Sequence, residues 1–383
     1  MKTPGTRART ASAAALVVLL SLALSSCAFI VNAHDVEVPA RRIREPEAPT
    51  NVILMIGDGM GTSHLTAAMI ERGDLHMERL PVGGMMATFA SNRLVTDSAA
   101  AGTAMATGYK SYNGAISVSP DGEPLKTVLE HAEDRGMATG LVTTCSVTHA
   151  TPAVFASHID SRSKQKEIAR QMTSSGVDVL FGGGYSYFLP DDEPGGTRTD
   201  GLNLIEELRE RMPVALTLEE FRALPEGRAA AALLHSGHPP TAPSRAPTLA
   251  ALARKALSIL SKNDTGFFLM VEGSQIDWAG HENDHDWMVE ETVDFDDAVG
   301  VVMDFAEANG RTLVVVTADH ETGAYSVLDG SLERHEVTRP NWGCGDHSAA
   351  MVPVLAYGPG ADAFGGMIDN THLGRVLIGF VSR

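Results

Sequence analysis

The chain has 383 residues, with 30 Lys+Arg against 48 Asp+Glu and a formal net charge of −18. That balance argues against nucleic acid as the main partner, since a polyanion is held through clustered basic side chains. Hydrophobic residues make up 44% and charged residues 20%, which excludes wholesale disorder and lets a large core form without metals or disulfides as staples.

In chain order, Lys2, Arg7 and Arg9 precede an apolar run at 13–24 that is too short to span a bilayer stably. Residues 1–27 are expected to be a signal peptide. Its end, Leu24-Ser25-Ser26-Cys27, resembles a bacterial lipobox, so either Cys27 becomes a lipidated first residue or it is incidental to ordinary cleavage. The expected location is outside the cytoplasm, periplasmic or cell-surface, with the membrane touched only through an anchor at Cys27. Removing residues 1–26, which carry three basic and no acidic side chains, takes the formal charge from −18 to −21. Residues 28–48 lack periodicity and read as a tether. Cys145 and Cys344 then remain, and the sequence allows either a disulfide or two free thiols.

Residues 49–383 read as one domain. Apolar runs at 51–56, 138–142, 177–181, 266–271, 311–317 and 352–357 lack polar alternation, which suits strands covered on both faces. Amphipathic stretches at 126–135, 202–211, 249–260 and 288–309 read as helices. The expected fold class is α/β, a three-layer α/β/α sandwich around a central, mostly parallel sheet. Residues 190–247, with Asp191-Asp192-Glu193-Pro194-Gly195-Gly196 at one end and Pro239-Pro240 near the other, read as a surface excursion bearing short helices.

Acidic residues and His gather just after the apolar runs. Asp58 lies in Gly57-Asp58-Gly59-Met60-Gly61, Glu272 follows Val271, and Asp319-His320 follow the run that ends at Thr317. Separately these are a tight turn, a cap and a solvated loop. Jointly they read as a ligand cluster, because the carboxyl ends of strands in an open sheet face one crevice. Asp277 and His281 stand four apart on one helical face, and His347 offers a further imidazole. Carboxylates mixed with imidazoles, without thiolates, suit a catalytic zinc ion better than a structural cysteine site. His281-Glu282-Asn283-Asp284-His285 also matches the H-E-x-x-H pattern of zinc peptidases, but Gly280 and the polar surroundings disfavour the buried helix that mechanism needs.

The segment Thr96-Asp97-Ser98-Ala99-Ala100-Ala101-Gly102 puts Ser98 near the start of a closely packed helix, where amide groups favour an anion. As a plain cap Ser98 would contribute ~1 kcal/mol. The helix terminus supplies only ~0.3–1 kcal/mol, whereas a metal ion stabilises developing charge by several kcal/mol, so any activation of Ser98 as a nucleophile must come mainly from metal.

Seven motifs then resemble the alkaline phosphatase family in its order: Gly57-Asp58-Gly59-Met60-Gly61, Thr96-Asp97-Ser98-Ala99-Ala100, His149-Ala150-Thr151-Pro152 followed by Ser161-Arg162, Glu272-Gly273, Asp277 with His281, Thr317-Ala318-Asp319-His320, and Gly345-Asp346-His347. The resemblance implies hydrolysis of phosphate monoesters to alcohol and inorganic phosphate through a phosphoserine at Ser98. It implies one Zn²⁺ at Asp277, His281 and His347, and a second at Asp58, Asp319 and His320. A third ion, usually Mg²⁺, would use Asp58, Thr151 and Glu272, while Arg162 grips two phosphate oxygens through its planar fork. Two cations ~4 Å apart stabilise the attacking and leaving oxygens of an in-line displacement. A homodimer is also implied by resemblance alone.

Two positions depart from the commonly described bacterial pattern. His149 stands where many members have Asp, and Trp278 where many have Lys. An imidazole softens the third site, so Zn²⁺ or Co²⁺ is expected to compete with Mg²⁺ there. The missing Lys removes positive charge beside bound phosphate and is expected to ease product release. The competing readings are a phosphodiesterase or sulfatase of the same superfamily, and a non-catalytic, metal-loaded phosphate-binding lipoprotein. Ser98 together with Arg162 argues against the first two, and the presence of Ser98 against the third.

Overall fold

The structure is a computed structural model and describes residues 48–383. The expected signal peptide, Cys27 and residues 28–47 of the tether lie outside the described residues. The strands in chain order are β1 (Asn51–Gly57), β2 (Val82–Ala87), β3 (Ala138–Ser146), β4 (Val179–Gly183), β5 (Val214–Ala215), β6 (Ala230–Leu233), β7 (Phe267–Gly273), β8 (Thr312–Thr317), β9 (Glu321–Thr322), β10 (Ser326–Ser331), β11 (Glu336–Asn341), β12 (His347–Ser348), β13 (Val352–Tyr357) and β14 (Gly366–Asp369).

A ten-stranded sheet runs β14-β2-β13-β8-β1-β7-β3-β4-β6-β5. Only β13 opposes the rest: it is antiparallel to both β2 and β8, and every other pairing in this sheet is parallel. The four central strands β8, β1, β7 and β3 are buried at every residue, which is why their sequences show no polar alternation. On one face the helix His285–Asn309 packs on Leu249–Leu260 and Thr62–Arg72. On the other, Asn370–Val381 packs on Ser98–Thr107 and Val128–Asp134. The architecture is the expected α/β/α sandwich.

Residues 190–247 do carry short helices, Leu204–Arg211 and Leu218–Ala223, but they also insert β6 and β5 into the main sheet beside β4. The segment therefore extends the core as well as covering it. Ala230-Ala231-Ala232-Leu233 lacks the β-branched residues that announce a strand, and only pairing with β4 makes it one.

The Ser98–Thr107 helix is buried at all ten positions. A Cβ on Gly102 would stand 2.9 Å from Val154 Cγ2, and one on Gly374 would stand 2.5 Å from the Ala104 carbonyl. Small residues thus let three helices close on one another and press the start of this helix towards the carboxyl edge of the sheet.

Candidate active site

Four neighbouring strand ends build the floor. β8 leads to Asp319 and His320, β1 to Asp58, β7 carries Glu272, and the segment after β3 carries His149 and Thr151. Asp58, Glu272, Asp319 and His320 are fully buried. Gly59, at φ 77°, makes the turn after β1; a Cβ there would meet Asp277 Cα at 2.7 Å, so glycine is what allows the loop and the Asp277 helix to approach. The Gly59 amide donates to Asp319 Oδ1 at 3.2 Å.

Ser98 is the first residue of its helix and lies 2% exposed, its hydroxyl 3.3 Å from His320 Nε2. Asp97 is the N-cap, with Oδ1 accepting the Ala100 amide at 2.9 Å. Its other oxygen accepts from the Gly114 amide at 3.0 Å and from Arg162 Nη1 at 3.1 Å. Arg162 Nη2 donates to His149 Nε2 at 3.0 Å.

Proton bookkeeping shows what the clusters need. His281 Nδ1 faces the Gly345 carbonyl at 3.1 Å and His347 Nδ1 faces the Thr96 carbonyl at 2.8 Å. A carbonyl only accepts, so both rings carry their proton on Nδ1. Their Nε2 lone pairs then face each other at 3.2 Å and Asp277 Oδ1 at 3.3 and 3.4 Å. With both rings neutral, three acceptors converge with no donor among them, and only a proton or a cation at Nε2 relieves the clash. The same convergence, through the hydrogen bond and charge of Asp277, pushes His281 up to about 9 despite partial burial. Burial works against the charge of Asp277, but His281 and His347 outweigh it and hold the carboxyl well below its usual range. The pocket calls for positive charge.

A second cluster repeats the pattern. Thr322 gives its one hydroxyl proton to Asp277 Oδ1, so at 3.3 Å it must accept from His320 Nδ1. His320 Nε2 is thereby left as a lone pair, 3.4 Å from both Asp58 Oδ1 and Asp319 Oδ2. Those two carboxylate oxygens are buried without a hydrogen-bond partner. Burial, joined by neighbouring carboxylates, raises Asp58 well above its ordinary value and Asp319 to about 6. Buried unpaired acceptors are costly, and a bound cation is the standard remedy. Asp277 Oδ1 and the Nε2 atoms of His281 and His347 lie within 3.4 Å of one another, and ligand atoms also gather within cation-binding reach in Asp58 with Asp319 and His320, in Asp277 with His320 and His347, and in His281 with Asp346 and His347.

The third expected set is also assembled. Thr151 Oγ1 donates to Asp58 Oδ2 at 3.5 Å. Glu272 Oε1 is buried and unpartnered, and burial raises its carboxyl to about 7. His149 is drawn to the same place, grouped with Glu272 and Cys145. Burial, with Arg162 and His238 nearby, lowers His149 to about 3, so its imidazole is neutral.

The alkaline phosphatase family profile matches residues 49–337. The chain belongs to the alkaline phosphatase family. Alkaline phosphatase 3 of Bacillus subtilis is 32% identical to it over 447 aligned residues, covering 94% of this chain and 95% of that protein. The structure of the alkaline phosphatase from the Antarctic bacterium TAB5 superposes with a TM-score of 0.80 at 36% identity, covering 88% of this chain and 98% of that one. A variant of the TAB5 enzyme with a histidine changed to aspartate, and magnesium bound in its M3 site, superposes with a TM-score of 0.79 at 36% identity over 88% and 99% of the two chains. The family uses metal ions and acts on phosphate monoesters, and this chain is an alkaline phosphatase, a phosphoric monoester hydrolase.

Within this alkaline phosphatase the peptidase-like motif dissolves. Asn283, at φ 54°, ends the helix Gln275–Glu282, and Asp284 caps the next, so His281 and His285 sit on separate helices. His285 instead bonds Glu71 at 2.8 Å and the Tyr325 hydroxyl at 2.9 Å. Cys145 and Cys344 are free thiols. Two residues that position the site escaped the sequence reading, Asp97 and Thr322, as did His238 at its rim. Asp97 was marked by its place immediately before Ser98, and Thr322 by standing two residues after His320. His238 carried no local signal, because it comes from the segment taken for a surface excursion.

Proposed function

We propose that this alkaline phosphatase hydrolyses exposed phosphate monoesters in two covalent steps, with Ser98 as the nucleophile. The assignment places Zn²⁺ at Asp277, His281 and His347 and at Asp58, Asp319 and His320. It places Mg²⁺, or Zn²⁺ or Co²⁺ in competition with it, at Asp58, Thr151 and Glu272 beside His149. When bound, these cations neutralise the carboxylates and supply Lewis-acid stabilisation to the attacking and leaving oxygens.

The residues themselves do the rest. Ser98 Oγ forms the bond to phosphorus as the ester P–O bond breaks, and the alcohol leaves with a proton. Water then attacks the phosphoserine from the vacated side and releases inorganic phosphate and Ser98. Arg162, held by Asp97, is aimed to bind two phosphate oxygens and so to orient phosphorus for in-line attack. The observation that carries this reading is the 3.3 Å approach of the buried Ser98 hydroxyl to His320 Nε2, which stands beside the buried, unpartnered carboxylate oxygens of Asp58 and Asp319.

The amino-terminal sequence supports export, with lipidation at Cys27 as the form of anchoring, and the family resemblance supports a homodimer. Among the described residues no helix is long and apolar enough to cross a membrane.

The test compares turnover of p-nitrophenyl phosphate and its bis ester by purified protein, by Ser98→Ala, and after exhaustive chelation. The expected result is strong preference for the monoester, loss of turnover in Ser98→Ala with phosphate binding retained, and loss on chelation that zinc and magnesium reverse. Full activity after chelation, or unchanged turnover in Ser98→Ala, would overturn the assignment.

A further inference from the structure

His238 lies outside the groups used above, yet it stands at the rim of the site. It follows β6, so it is delivered by a strand end on the same edge of the sheet as Asp58 and Glu272. The Ser146 amide donates to His238 Nδ1 at 3.0 Å, which fixes Nδ1 as the acceptor and leaves the ring proton on Nε2. Among the described residues that Nε2–H makes no hydrogen bond, and the residue is exposed. The ring meets Trp278 edge-on, centroids 4.6 Å apart, and both rings lie about one ring-width from His149, at 5.8 and 6.0 Å. His149 in turn touches Arg162. A continuous wall therefore runs outward from the guanidinium, through His149, to an indole and a free N–H donor.

This wall is held rigidly. The Gly184 amide donates to the carbonyls of His235 and Gly237, both at 2.8 Å. Gln275 Nε2 donates to the Pro239 carbonyl at 2.9 Å, and the buried Arg245 donates to that of Pro240 at 3.1 Å. A loop tied at both ends and packed on tryptophan is preorganised, so a contact made there loses little to ordering.

We propose that His238 and Trp278 form an outer subsite for the alcohol part of the substrate, favouring phosphate monoesters whose alcohol is an aromatic ring bearing a hydrogen-bond acceptor. The inference rests on the active site proposed above. With phosphorus between Ser98 and Arg162, an ester substituent leaving on the Asp277 side passes Trp278, the next residue. An aromatic ring finds an aromatic edge there and its acceptor finds the Nε2–H of His238. A small aliphatic alcohol reaches neither. His238 is on this account a specificity residue, and phosphate itself does not depend on it.

The experiment measures kcat/KM for p-nitrophenyl phosphate and for glycerol 2-phosphate, with the inhibition constant of inorganic phosphate, in the metal-loaded wild type, His238→Ala and His238→Gln. His238→Ala is expected to lower kcat/KM for the aryl substrate roughly fivefold, the scale of one neutral hydrogen bond. Glycerol 2-phosphate and phosphate inhibition should change by less than about twofold, and His238→Gln, which keeps an N–H, should recover much of the loss. Parallel losses on both substrates, or no loss on either, overturn the proposal. If His238→Ala fails to retain metal, the same split is required of His238→Asn, whose shorter amide does not reach the place of Nε2, and its absence there is equally decisive. A wild type that turns over neither substrate defeats the underlying active-site reading, whereas an active wild type without the split defeats only the subsite.

Discussion

Arg162 donates to one oxygen of Asp97 at 3.1 Å while the other oxygen of the same carboxylate caps the Ser98 helix through the Ala100 amide at 2.9 Å. One side chain therefore sets the positions of both the Ser98 hydroxyl and the Arg162 guanidinium. Asp97→Ala should raise KM for p-nitrophenyl phosphate and the inhibition constant of phosphate together, by roughly tenfold, because a freed Arg162 must be ordered by the ligand. The lost cap should cost about 1 kcal/mol in denaturant unfolding. Unchanged phosphate inhibition would show that Arg162 needs no such tether.

His149 is a neutral imidazole beside Glu272, where magnesium would meet a soft donor. The TAB5 variant with aspartate in place of a histidine has magnesium in its M3 site. His149→Asp should raise magnesium affinity roughly tenfold and lower the zinc bound per chain, read by elemental analysis after equilibrium dialysis. Equal metal content in both proteins would mean that His149 does not face the third ion.

Glu133 gives a pH effect away from the metals. Burial raises its carboxyl from 4.5 to about 7, against the hydroxyl of Thr139, which donates at 3.3 Å. A carboxyl raised in the folded state holds its proton there longer than in the unfolded chain. Its contribution is present below pH 4.5 and is lost as pH rises towards 7. Glu133→Gln should therefore match the wild type at the acid end of that window. Above pH 7 it should exceed it by about 1 kcal/mol, allowing for the solvent that still reaches the group. Melting temperatures recorded across the window give the sign directly.

Arg245 bonds Glu291 through Nη2 at 2.7 and 2.8 Å and Asp294 through Nη1 at 2.6 Å, and all three are buried. Arg245→Ala would strand two carboxylates inside the protein, at an expected cost of about 3–5 kcal/mol in chemical denaturation. A smaller loss in Arg245→Ala with Glu291→Gln than in Arg245→Ala alone would confirm that the stranded charge is the cause.

The sequence by itself determined the fold class and which acidic and imidazole groups stand just past the central strands. Strands such as β1, β7 and β8 announced themselves because burial on both faces removes polar alternation, and Asp58, Glu272, Asp319 and His320 announced themselves by following such strands. Strands one place in from the sheet edges stayed hidden: β2 is Val-Gly-Gly-Met-Met-Ala and β6 is largely alanine, so their conformation comes from neighbours in the sheet and not from local preference. Only the tertiary structure decided the proton pattern. That the Nε2 atoms of His281, His347 and His320 all point inward depends on the carbonyls of Gly345 and Thr96 and on the hydroxyl of Thr322, which engage Nδ1. Those partners lie on other segments or carry no chemical signature of their own. Hydrogen-bond direction is a property of atoms brought together by folding, and residue types along a chain do not encode it.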